Sequence, residues 1–194
     1  MNTQEPTPVP VLRIDVRTLA QAGTTQSGSD PLLHYQRLAS DLHGGVAQPV
    51  LGEDALVVQW IVRGQLVGLS GAADGKPQPW MHLHLEAQLP MTCQRCLGRV
   101  LMPVILDNKY RFVPDEATAE AQDETCDEDL LVLSKQFDLR ELLEDELLLE
   151  LPLMPKHEVC PTPVKLASTD EDFKAALTQK PNAFAVLGSL KKAS

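Results

Sequence analysis

The chain has 194 residues, 43% of them hydrophobic but only 4% aromatic, so it can bury one substantial core built mainly from Leu, Val and Ala. Two full domains do not fit that length, and the composition is neither collagenous nor that of a wholly disordered chain. The net charge of −10 excludes a surface that is basic throughout, because phosphate binding rests on Lys and Arg releasing counterions.

No run of about 18 uncharged apolar residues occurs, so no membrane-spanning helix is expected. The opening Met-Asn-Thr-Gln-Glu-Pro-Thr-Pro lacks the basic start and apolar stretch of a secretory signal, and a cytoplasmic, soluble protein is expected. Residues 1–10, with three prolines, read as a flexible arm. Val11–Val16 predicts a short strand. Ser29-Asp30-Pro31 reads as a helix start, and Leu32, Tyr35, Leu38 and Leu42 form the apolar stripe of a small helix over Pro31–Leu42, stopped by Gly44-Gly45.

Ala55–Val62 has strand composition, with Gly64 and Gly68 predicted to break its continuation into a turn or bulge before a loop at Ala72–Pro79. Met81, Leu83, Leu85, Ala87 and Leu89 alternate with His82, His84, Glu86 and Gln88, the period-two pattern of a strand with one wet face. A second strand, Val100–Leu106 continuing through Tyr110–Val113, places Cys93-Gln94-Arg95-Cys96 at the turn of an antiparallel hairpin. Residues 114–129 read as an acidic loop: Asp115, Glu116, Glu120, Asp123, Glu124, Asp127, Glu128 and Asp129 concentrate most of the net charge there. Leu130–Leu133 return to the sheet. Asp138 and Glu141 form a capping box for the main helix, Leu139–Leu151, which Pro152 and Pro155 end. Residues 161–194 read as a tail ending in an apolar cluster, Phe184–Leu190, and Lys191-Lys192. The expectation is an α+β fold: a mostly antiparallel sheet, one main C-terminal helix, a smaller N-terminal helix and flexible termini, with a single domain at 11–160.

Two pairs could carry chemistry. Cys93-x-x-Cys96 and His157-x-x-Cys160 lie about sixty residues apart, and two such pairs are how structural zinc sites staple loops together. Three thiolates and one imidazole would fill a tetrahedral shell and leave no place for a reactive water. The other reading is ordinary reduced thiols. His82 and His84 share a polar strand face that could bind metal or phosphate, although solvent-facing histidines are the commoner outcome. Glu144, Asp145 and Glu146 point in different directions around a helix and read as a solvated face. No phosphate-binding Gly-rich loop, nucleophile elbow or dinucleotide fingerprint is present, so the expectation is a binding protein and no enzyme.

Three segments together resemble the YceD family. They are Leu85–Leu97 with Thr92-Cys93-Gln94-Arg95-Cys96-Leu97; Leu139–Pro155, with Glu144-Asp145-Glu146-Leu147 running into Leu151-Pro152-Leu153-Met154-Pro155-Lys156-His157; and the ending Lys180-Pro181-Asn182-Ala183-Phe184-Ala185-Val186-Leu187-Gly188-Ser189-Leu190-Lys191. Their order and spacing agree from about Val11 to the C-terminus, with Ala183 where a second proline is expected. The resemblance implies a role in the synthesis, processing or stability of large-subunit (23S-type) ribosomal RNA, and supplies neither catalytic residues nor a guaranteed zinc site. On that reading Arg95, Arg99, Arg111, Lys191 and Lys192 contact precursor RNA or an assembly intermediate, while the tail's own residues Phe184, Val186, Leu187 and Leu190 bury on a partner or else dock on their own domain. The alternative is an acidic adaptor that holds a basic ribosomal protein and never touches RNA.

Overall fold

A computed structural model describes residues 12–45, 56–68 and 77–163. The predicted arm at 1–10, most of the predicted loop at 72–79 and the tail from 164 onward lie outside the described residues, and with the tail go Phe184, Val186, Leu187, Leu190, Lys191 and Lys192. Residues Met1–Glu158 form one compact unit.

The α+β expectation holds. A five-stranded sheet runs in the order β2 (Thr25–Pro31), β3 (Val57–Val67), β4 (Gln78–Thr92), β5 (Arg99–Val113), β6 (Asp129–Val132), antiparallel except for the β5–β6 pair. A two-stranded ribbon joins β1 (Arg13–Ile14) to β7 (Phe137–Asp138). Alternation along β4 puts Met81, Leu83, Leu85, Ala87, Leu89 and Met91 on the core face, where they meet Val58, Trp60 and Val62 of β3 and Leu106 and Tyr110 of β5. Helix α1 (Val16–Ala22) packs over β3 and β4, and α4 (Leu139–Leu149) contributes buried Leu139, Leu143 and Leu147.

Five predicted elements differ. Among the described residues of the predicted Val11–Val16 strand, only Arg13–Ile14 pair as a strand, because the Asp15 side chain accepts the Thr18 N–H and starts α1 at Val16; a capping residue inside an apolar run is the signal for that start. Ser29-Asp30-Pro31 start no helix but end strand β2, whose edge position tolerates proline. The apolar stripe is nevertheless buried, on a 3-10 turn (Leu32–His34) and a short helix α2 (Gln36–Ala39) in place of one helix over Pro31–Leu42. Part of the acidic stretch is no loop: Asp115 caps α3 (Glu116–Asp123), which exposes its carboxylates to water.

The fourth difference is at Gly64, where β3 continues without a break. A β-carbon there would lie 2.5 Å from the Leu19 carbonyl carbon and oxygen and 2.6 Å from the Ala20 nitrogen. The glycine lets the backbone of α1 sit directly on the sheet, a close-approach role that strand periodicity does not reveal.

The fifth concerns Glu144 and Glu146, expected on a solvated face but both 8% exposed. Glu144 accepts from the backbone N–H of Arg37 (2.7 Å) and Leu38 (3.1 Å) and from Arg37 Nε (3.0 Å), while Asp145 takes Arg37 NH1 at 2.6 Å. Burial of a carboxylate is tolerated because it is fully hydrogen-bonded. Glu146 meets Asn108 Nδ2 of β5 at 3.2 Å, which sets α4 on the core side of that strand.

Gly64→Ala should destabilise the protein by about 3 kcal/mol, because the clash is with backbone that cannot rotate away. Denaturant unfolding measures it; an unchanged midpoint would show that α1 does not rest on β3 at this point.

Candidate metal centre

The β4–β5 ladder brings Thr92 opposite Arg99, so residues 93–98 form the hairpin tip as predicted. Cys93 N–H bonds to the Gly98 carbonyl (2.8 Å), and Leu97 N–H bonds to the Cys93 carbonyl (2.8 Å). Leu97 itself sits at φ 60. Beyond α4 the prolines end the helix, and the Pro155 carbonyl accepts the Gln94 N–H at 2.8 Å. That bond lays the segment after α4 against the hairpin tip.

The two distant cysteine-histidine pairs meet here. The donor atoms of Cys93, Cys96, His157 and Cys160 all lie within 4.8 Å of one another, so the group could hold a metal ion. His157 Nε2 faces the Arg99 carbonyl at 3.0 Å, and a carbonyl only accepts, so Nε2 carries the proton. In the neutral ring this leaves Nδ1 as the bare nitrogen, and it lies 3.4 Å from Cys96 Sγ. Fixing the tautomer of a metal-binding imidazole through its other nitrogen is the usual second-layer arrangement. Cys93 is fully buried, which works against ionisation, yet backbone N–H groups of Cys96, His157 and Arg95 and the Cys96 side chain outweigh burial and bring its pKa down to about 5. Three thiols and one imidazole form a soft set suited to zinc, and all four positions come from protein. Such a centre would staple the hairpin to the chain after α4.

The basic residues named from the sequence separate. Arg95 is exposed at the tip, and Arg99 is half-buried beside His157. Arg111 is only 5% exposed: its NH1 donates to Gln78 (3.1 Å) and Gln122 (3.0 Å), and its Nε lies 4.0 Å from Glu128. Its guanidinium ties α3 and the acidic stretch to the sheet instead of facing solvent. Lys156, exposed next to His157, had no sequence pattern to single it out.

On the wet face, His82 Nε2 meets Asp107 Oδ1 (2.6 Å), while His84 Nδ1 meets Asp107 Oδ2 (3.2 Å) and His84 Nε2 meets Glu86 Oε1 (3.1 Å). Both histidines are engaged with Asp107 across the hairpin, and His84 also with Glu86 on its own strand.

Two outcomes follow from this geometry. Protein purified without a histidine tag should carry about one zinc per chain, and Cys93→Ser should lose the metal and lower the melting temperature; a metal-free untreated protein would remove the zinc reading. His84 should titrate above its ordinary value of 6.5 because of Glu86 and Asp107, and Asp107→Asn should lower it, as read by NMR. Its contribution to stability is complete below about pH 6.5 and fades as pH rises through the raised folded value. Asp107, lowered from 3.8 by His82 and then His84 against desolvation, keeps its contribution until pH falls through that lowered value.

No helix among the described residues is long and apolar enough to cross a membrane. No solved structure matches the chain. Residues 81–191 match the family described as large ribosomal RNA subunit accumulation protein YceD, a stretch that takes in most of β4, the hairpin tip, α4 and all four candidate metal ligands. That covers more than half of the chain, and this protein therefore belongs to the YceD family, whose description ties it to the accumulation of large-subunit ribosomal RNA.

Proposed function

We propose that the protein is a non-catalytic cytoplasmic factor that promotes synthesis, processing or stability of large-subunit ribosomal RNA by binding precursor RNA or an assembly intermediate. The observation that carries this reading is the convergence of Cys93, Cys96, His157 and Cys160 at one end of the sheet. A zinc ion held by four protein ligands has no open position for water, so it would shape a surface and hydrolyse nothing. That surface presents Arg95, with Arg99 beside it, and Lys191 and Lys192 extend the basic set along the sequence. Arg111 is left out of the set because its guanidinium is buried against Gln78, Gln122 and Glu128.

A second reading is the acidic adaptor that holds a basic ribosomal protein. The capped helix α3, with Glu116, Glu120 and Asp123 exposed, favours it. Salt dependence separates the two. Binding to a labelled precursor fragment should weaken with salt, and Arg95→Ala with Arg99→Ala should flatten the log–log slope by roughly 1.5, the counterions released by two phosphate contacts on a single strand. If RNA binding is absent at low salt, while neutralising α3 abolishes capture of a purified basic ribosomal protein, the adaptor stands in its place.

A further inference from the structure

The hairpin tip and the segment joined to it expose several large apolar side chains. Leu97 occupies the left-handed backbone region, where a β-carbon crowds the following carbonyl and glycine is the residue that fits. Its side chain is 71% exposed, so packing within the described residues does not explain the choice. On the segment that Gln94 holds in place, Leu153 is 99% and Met154 70% exposed, immediately before buried Pro155. Two exposed cations, Arg95 and Lys156, stand among them, with Glu158 the nearby exposed carboxylate. In a protein of net charge −10, this end therefore presents apolar groups interleaved with positive charge.

We infer that this tip binds unpaired RNA, with Arg95 and Lys156 on phosphates and Leu97, Leu153 and Met154 against the faces of unstacked bases. The inference rests on the RNA-binding reading above and names the form of RNA. Apolar side chains lodge between bases where the stack is already open, as it is in loops and single strands. In an A-form duplex the base faces are covered and the deep groove is too narrow for side chains. A protein partner fits Lys156 less well, because protein interfaces are depleted of lysine, whereas Arg95 and Met154 suit either kind of partner.

The test uses the full-length protein as purified, with its metal content measured, and fluorescence anisotropy against a labelled unstructured 20-nucleotide RNA and the duplex of the same length. The single strand should bind at least about tenfold more tightly at equal salt. Leu97→Gly with Met154→Ser should remove most of that preference while leaving duplex binding and zinc content unchanged. Leu97→Gly alone should raise the melting temperature, since glycine suits this backbone, so lost preference cannot be put down to misfolding. Equal affinity for the two forms, or a preference that survives both substitutions, overturns this inference and leaves RNA binding standing. No binding to either form at low salt overturns both. A photocrosslinker at position 154 that captures only protein in growing cells would also overturn it.

Discussion

One backbone hydrogen bond, from Gln94 N–H to the Pro155 carbonyl, joins two parts of the chain about sixty residues apart, and the candidate metal centre depends on it. The bond can form because β4 and β5 pair in continuous register from Trp80–Arg111 to Thr92–Arg99, so the turn at 93–98 is carried to a defined end of the sheet. Once Gln94 and Pro155 are joined, His157 stands over the base of the turn, where the Arg99 carbonyl accepts a hydrogen bond from its Nε2–H. A bound zinc ion would reinforce a closure that the backbone already makes.

The path of the segment after α4 depends in turn on where that helix starts and what holds it. Asp138 caps its first turn, accepting from the Arg140 and Glu141 N–H groups. Next to the cap, Arg140 grips Asp30 at the end of β2 through Nε (2.6 Å) and NH2 (3.0 Å), and His34 adds a third contact at 2.8 Å. Desolvation acts to raise the Asp30 pKa, but Arg140 and His34 outweigh it and the group is held lowered, hence charged. Glu144 makes the second tie by satisfying the first N–H groups of α2. Removing one partner of either pair would leave a charge stranded in a poorly solvated place, so both ties act more on specificity of packing than as a large net gain in stability.

The two faces and one end of the sheet divide the work. The core face takes α1 and α4. The opposite face carries His82, His84, Glu86 and Asp107 as a closed polar network, and Arg111 is covered where Gln122 and Glu128 reach it. Among the described residues, the hairpin end combines a cluster of metal-binding donors with exposed cations and exposed apolar side chains. It does so in a protein of net charge −10, whose carboxylates concentrate around α3.

Much of this was legible in the residue order. Period-two alternation fixes which side chains of Met81–Leu89 face the core, a capping box places the start of α4, and two donor pairs at zinc-like spacing name the candidate ligands, because each of these signals is local and acts within a few residues. What the sequence could not decide were contacts between segments distant along the chain. Gly64 looks like a strand breaker until α1 lies on it, Glu144 looks solvated until α2 offers its N–H groups, and Arg111 looks available until α3 covers it. Likewise, Cys93 and Cys96 are only a pair by sequence. Their meeting with His157 and Cys160 was settled by tertiary structure, because convergence of donors depends on distances through space that spacing along the chain does not encode.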